Sequence, residues 1–111
     1  VLFEWGVSEV TGVVVPNCFE DGFDSVVGDL RALMVRKQRD YGHGNILKFG
    51  VRGCLVRASD KVERLANLDR RGSLPENEAV TDSWRDLANY AIIALMLERG
   101  VFELPLKEDV K

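Results

Sequence analysis

The stretch DSWRDLANYAIIALMLERG, residues 82–100, constrains this chain more than any other. From Tyr90 to Leu97 every residue is apolar or aromatic. A helix carrying such a run is apolar on nearly every side, so it belongs at the centre of a bundle or at a subunit interface. The first half is different. Asp82, Asp86 and Asn89 recur at spacings of four and three, which puts them on one helical face. Prolonged, that face meets Ile93, Met96 and Leu97. The spacing therefore predicts that two carboxylates and an amide look at another helix rather than at open water.

The rest of the chain supplies the helices to face. The predicted third helix covers 78–99, with Val80, Trp84, Leu87, Ala88, Ala91 and Leu95 as its main apolar stripe. Pro75, Glu76, Glu78 and Asp82 suit its N-terminal end, and Gly100 ends it. A first helix is predicted over 23–40 from Phe23, Val26, Val27, Leu30, Leu33 and Met34, with Arg36, Lys37 and Arg39 in its last turn. YGHGN, residues 41–45, stops it through Gly42 and Gly44. A second helix is predicted over 51–68. Its apolar stripe is Val51, Cys54, Leu55, Ala58, Val62 and Leu65, set apart from a polar stripe of Arg57, Asp60, Arg64 and Asn67. Residues 69–77 read as a loop. At the start, Val-rich and aromatic residues flank SEVTG and read as two short strands.

These elements define the expected architecture. The fold class is mainly α: a small bundle of three main helices, completed by oligomerisation, with a short N-terminal β-hairpin. One domain spans 1–111, made of a hairpin extension over 1–16, a helical core over 23–99 and a docking tail over 100–111. Two strands cannot stand alone, so the hairpin is expected to cap the bundle or join a subunit interface.

Composition narrows the partners. With 111 residues the chain is one small domain, and a core that small gains from oligomerisation. A net charge of −3 argues against general nucleic-acid binding. No apolar run reaches the roughly 18 residues that a membrane span needs, and no signal-peptide pattern opens the sequence. Cys18 and Cys54 are far apart, without zinc spacing, and read as two reduced thiols of a cytoplasmic protein.

The acids carry the chemistry. Two like charges held close and partly dried repel, and they persist only beside a cation. Helix bundles use inward carboxylates from facing helices to hold divalent metals. Here Asp82 and Asp86 on the third helix would face Asp60 and Glu63 on the second, with Arg57, Lys61 and Arg64 around them to receive phosphate. Magnesium, or manganese in its place, is the matching ion, since it takes oxygen ligands and bridges carboxylates to phosphates. A metal-bound water attacking a phosphoryl group would be the reaction. A second reading stays open: Asp60 and Arg64 form an ordinary helical salt bridge, and Asp82 serves the helix N-terminus.

GVRGCLVRASDKVERLANL, residues 50–68, followed by ENEAVTDSWRDLANYAIIAL, residues 76–95, resembles a phage and bacterial family. It is the nucleotide-modification-associated family of small proteins, related to the MazG-like all-α nucleoside triphosphate pyrophosphatases. RKQRDYG at residues 36–42, then Asn45, is similar too, and the resemblance covers residues 24–98. It implies an all-α fold forming dimers or tetramers. It also implies magnesium held by an ExxE pair on one helix and an ExxD pair on the next, and cleavage of a nucleoside triphosphate to a monophosphate and pyrophosphate. Asp60 and Glu63 match the first pair and Asp86 the closing acid of the second. This sequence departs from that pattern: its first pair is DxxE, and Ser83 stands where the second Glu is expected, with Asp82 one residue earlier.

The implied catalytic set is Asp60, Glu63 and Asp86, the metal set adds Asp82, and the ligand-binding set is Arg57, Lys61, Arg64, Asn89 and Asn45. The implied partner is a nucleoside triphosphate or a modified deoxynucleotide. Tyr41, His43 and Asn45 read either as a simple helix stop or as a loop that touches base or ribose. The departures leave three readings: a magnesium-dependent nucleoside triphosphate pyrophosphohydrolase, a non-catalytic nucleotide-binding protein, and a structural helical oligomer.

Overall fold

The computed structural model describes residues 15–111. Three α-helices carry the chain: α1 Phe19–Tyr41, α2 Gly44–Arg71 and α3 Val80–Glu98. A short 3₁₀ turn, Lys107–Asp109, follows. Among the described residues there is no strand, and no helix is long and apolar enough to cross a membrane. The expected hairpin over 1–16 lies almost wholly outside the described residues. The chain divides into two compact units, Val1–Leu33 and Met34–Lys111.

In the first unit, α1 starts four residues earlier than its apolar spacing predicts, with Glu20 and Asp21 in its first turn where the helix dipole favours acids. Phe19, Phe23, Val26 and Val27 are exposed, so the expected apolar stripe of α1 is not a buried one here. The Phe19 and Phe23 rings lie one turn apart, their centroids 6.4 Å from each other.

In the second unit, Gly42 (φ 67°) ends α1 as expected. Gly44 does not prolong the break; it begins α2. The helix is instead interrupted at Gly50 (φ 63°, ψ −152°), a conformation open in practice to glycine alone. Residues before that kink form a short helical arm, and residues 51–71 form the long rod. Gly72 (φ 63°) closes the rod in left-handed geometry, its N–H donating to the Leu68 and Asp69 carbonyls.

The rod packs on α3, but only in part through the stripes that the sequence predicts: Cys54, Ala58 and Leu65 of α2 and Leu87 and Ala88 of α3 are covered. Val51, Leu55 and Val62 are exposed, while Cys54 is buried and Lys61, Arg64, Leu65 and Leu68 are half-buried. On α3, Val80, Trp84, Ala91 and Leu95 point outward, and the inward line is Ser83, Asp86, Asn89 and Ile93. Each helix is rotated so that its mixed polar face meets the other. Of the line that the spacing predicts, Asp86, Asn89 and Ile93 turn inward while Asp82 stays half exposed; the apolar stripes are covered only in part.

The small core holds Cys54, Ile93 and Phe102, with Met34, Ile46, Tyr90, Ala94, Met96 and Leu97 packed around it. Phe102 reaches it because the end of α3 turns sharply. Gly100 (φ 68°) donates to the Leu97 carbonyl and Val101 to that of Met96, a paired closure that reverses the chain. The expected docking tail is therefore anchored by one buried ring, 5% exposed. The two cysteines are free: Cys18 is exposed, and burial pushes the Cys54 thiol up from its ordinary value.

Candidate functional site

Within the second unit a cleft of about 200 Å³ opens between the last turns of α1, the start of α2, the middle of α3 and Phe102. Lys37, Gln38 and Tyr41 come from α1, Asn45, Ile46 and Arg57 from α2, and Asp86, Asn89, Tyr90 and Ile93 from α3. Gly42 is what lets α1 and α2 share its edge, since only a tight left-handed residue turns the chain there.

Asp86 is the electrostatic centre. Its side chain is only 12% exposed, and both oxygens are engaged: Lys37 Nζ donates to Oδ1 at 2.9 Å, and Lys61 Nζ lies 3.0 Å from Oδ2. Burial alone would raise this carboxyl, but the hydrogen bonds and charges of the two lysines outweigh it and hold it below the ordinary value. The same hydrogen bond is the main reason that Lys61 is held above its own ordinary value. Lys61 also lies 3.4 Å from Glu78 Oε2.

Next to this cluster stands a second polar link. Arg64 donates to Ser83 Oγ at 2.6 Å and to the Glu78 carbonyl. Ser83 is fully buried. It stands where the resemblance implies a second glutamate, and a hydroxyl that accepts from a guanidinium fills the place without adding a charge.

Asn89 differs from its neighbours. It is 5% exposed, and neither its Oδ1 nor its Nδ2 has a hydrogen-bond partner. Leaving one buried polar group unpaired costs about 1–3 kcal/mol, so such a carboxamide is held for a reason. It lies one turn from Asp86 at the wall of the cleft.

The other expected site residues fall elsewhere. Asp60 and Glu63 are exposed on α2. Asp82 pairs with Arg85 at 3.2 Å across one turn of its own helix. Asp60, Glu63, Asp82 and Asp86 are thus not brought together: among the described residues no group of three or more His, Cys, Asp or Glu gathers to hold a metal. Arg57 and Asn45 do reach the cleft, while Lys61 and Arg64 stand behind it in the α2–α3 contact. His43 accepts from Gln38 Nε2 at 2.6 Å and sets its ring edge-on to Phe102, which gives it a structural place at the α1–α2 junction.

The sequence reads Lys37 as a basic residue in the last turn of the first helix and Tyr41 as a helix stop or a loop contact. Both line the cleft. Their signal was present in the chain: Lys37 and Tyr41 are one turn apart and share a face of α1 with Met34 and Gln38.

No family model, curated protein or solved structure matches the chain.

Proposed function

We propose that this chain binds a nucleotide, a nucleoside triphosphate or a modified deoxynucleotide, in the cleft of its second unit. The observation that supports this best is one cleft that joins cations, Lys37 and Arg57, to an unpaired buried carboxamide, Asn89, and to the ring of Tyr41. Cations suit phosphate, an amide suits a hydrogen-bonding heterocycle, and an exposed aromatic ring suits its flat face. The motif resemblance points to the same ligand class, and a cytoplasmic nucleotide pool is where it would act.

Hydrolysis is the second reading, favoured by the DxxE and closing-Asp positions. It asks Asp60, Glu63, Asp82 and Asp86 to share a magnesium or manganese ion. Their arrangement within one chain does not fit that demand: Asp86 has both oxygens on lysines, Asp60 and Glu63 are exposed on α2, and among the described residues no three such groups gather. Binding without cleavage is accordingly the function that the geometry supports best. A homo-oligomer belongs to the same proposal, because Leu55 and Val62 of α2 and Trp84 and Leu95 of α3 are exposed apolar side chains on the two packed helices.

The test is a panel of ribo- and deoxynucleoside triphosphates with magnesium or manganese, read by thermal shift and by chromatography of products. A ligand at a hundred times its dissociation constant should stabilise the fold by about 2.7 kcal/mol. A shift without monophosphate or pyrophosphate supports the binding protein. Pyrophosphate release would establish the hydrolase, and no shift with any nucleotide would end both.

A further inference from the structure

We propose that Asn89 selects the ligand of this cleft by pairing with a heterocycle edge on which a hydrogen-bond donor sits beside an acceptor. This deepens the nucleotide reading and rests on it. Asn89 is 5% exposed and both its polar atoms are unpaired. Asp86, one turn earlier, makes no hydrogen bond to it; its oxygens meet Lys37 and Lys61, and a carboxylate has no donor for Oδ1. Ile93, one turn later, is buried and apolar. Among the described residues nothing else completes the group.

A carboxamide presents one acceptor and one donor side by side, so the partner that satisfies both is an amide-like or amidine-like edge. Every nucleobase carries such an edge, and asparagine reads it in a bidentate fashion. A polyphosphate carries acceptors only and would leave Oδ1 unpaired. The cleft divides the work accordingly: Lys37 and Arg57 take the anionic part of the ligand, and Asn89 takes the edge of its ring. An apolar residue at position 89 would pack better in the empty protein. Retaining an unpaired amide there sacrifices stability, as sites built for a ligand do.

The experiment compares the wild type with Asn89→Leu by calorimetry. The probes are the common nucleoside and deoxynucleoside triphosphates, deoxyribose 5-phosphate and inorganic tripolyphosphate. In the wild type at least one nucleotide should bind about tenfold or more tighter than tripolyphosphate. Asn89→Leu should lose that margin, keep its affinity for tripolyphosphate, and melt at or above the wild-type temperature. Asn89→Asp, which exchanges the amide donor for an acceptor, should change the order of preference among the bases; it serves as the second variant should the leucine protein not fold.

Equal wild-type binding of nucleotide and tripolyphosphate would overturn the role of Asn89 while leaving a phosphate-binding cleft. Deoxyribose 5-phosphate binding as well as the best nucleotide would assign the amide to a sugar and overturn it too. A lower melting temperature for Asn89→Leu with unchanged base preference would make the amide structural. Binding of none of the probes would remove the nucleotide reading itself.

Discussion

Asp86 on α3 holds two lysines at once, Lys37 of α1 at 2.9 Å and Lys61 of α2 at 3.0 Å, so one carboxylate ties three helices together. Coulomb attraction at such distances is modest in water and several-fold stronger where water is excluded. Here the carboxylate is nearly buried while the lysines are 48% and 21% exposed, which places the cluster between those limits.

Replacing Asp86 with asparagine removes the common partner and leaves two cations facing each other. The loss of a fully buried pair costs 3–5 kcal/mol; with both lysines partly solvated we expect about 1–3 kcal/mol. Lys61→Met should cost more than Lys37→Met, because Lys61 is the less exposed and also meets Glu78. Equilibrium urea unfolding of the three variants gives the order. A stability of Asp86→Asn equal to the wild type would remove the cluster as a structural tie.

The same cluster sets the pH dependence. The Asp86 carboxyl lies below its ordinary value, so the unfolded chain takes up this proton more readily than the folded one. Its stabilisation is present above the ordinary carboxylate value near 4 and is lost as pH falls through the lower folded value. Lys61 is raised, so its share is complete below the ordinary lysine value, about 10.4, and is lost as pH rises through the higher folded value. Urea midpoints should therefore lose this cluster's contribution as pH falls from the ordinary carboxylate value through the lower folded one, or rises beyond the ordinary lysine value, and Asp86→Asn should differ from the wild type most between about 5 and 10. Midpoints of wild type and variant running parallel from neutral to strongly acid pH would contradict this.

Arg64 joins the loop before α3 to the helix itself, through the Glu78 carbonyl and Ser83 Oγ. A lysine keeps the charge but loses the planar fork that serves two acceptors. We expect Arg64→Lys to cost about 1–2 kcal/mol and to speed amide hydrogen exchange over residues 72–79 before it affects α1. Exchange rising evenly over the whole chain would mean that Arg64 acts on the bundle rather than on the loop.

Trp84 is 59% exposed on the outward face of α3, and Leu95, three turns later on the same side, is 55% exposed. If a second copy covers this face, the wild type sediments as an oligomer at micromolar concentration and Trp84→Glu sediments as a monomer with its helix content retained. Identical sedimentation of the two proteins would separate this face from any assembly.

Much of this arrangement was readable from the chain. The three helices follow from apolar residues at helical spacing, and the stop at Gly42 follows from its freedom at positive φ. The burial of Asp86 and Asn89 follows from their alignment with Ile93, whereas Asp82, on the same line but in the first turn of α3, stays half exposed beside Arg85. Spacing within one helix is a local property, and a sequence states it directly.

Which side of each helix meets its neighbour is not local. On α2 the predicted stripe splits: Val51, Leu55 and Val62 are exposed, and Cys54, Ala58 and Leu65 pack together with Lys61 and Arg64. That choice depends on what α3 offers across the gap: Asp86 and Ser83 satisfy Lys61 and Arg64, and paired polar groups lose the penalty that burial would otherwise impose. The same choice sent Asp60 and Glu63 outward and gave the carboxylate of Asp86 to lysines rather than to other acids. The sequence determined three helices and one buried line of polar residues. The tertiary structure decided their partners, because a hydrogen bond between helices requires both of them in place.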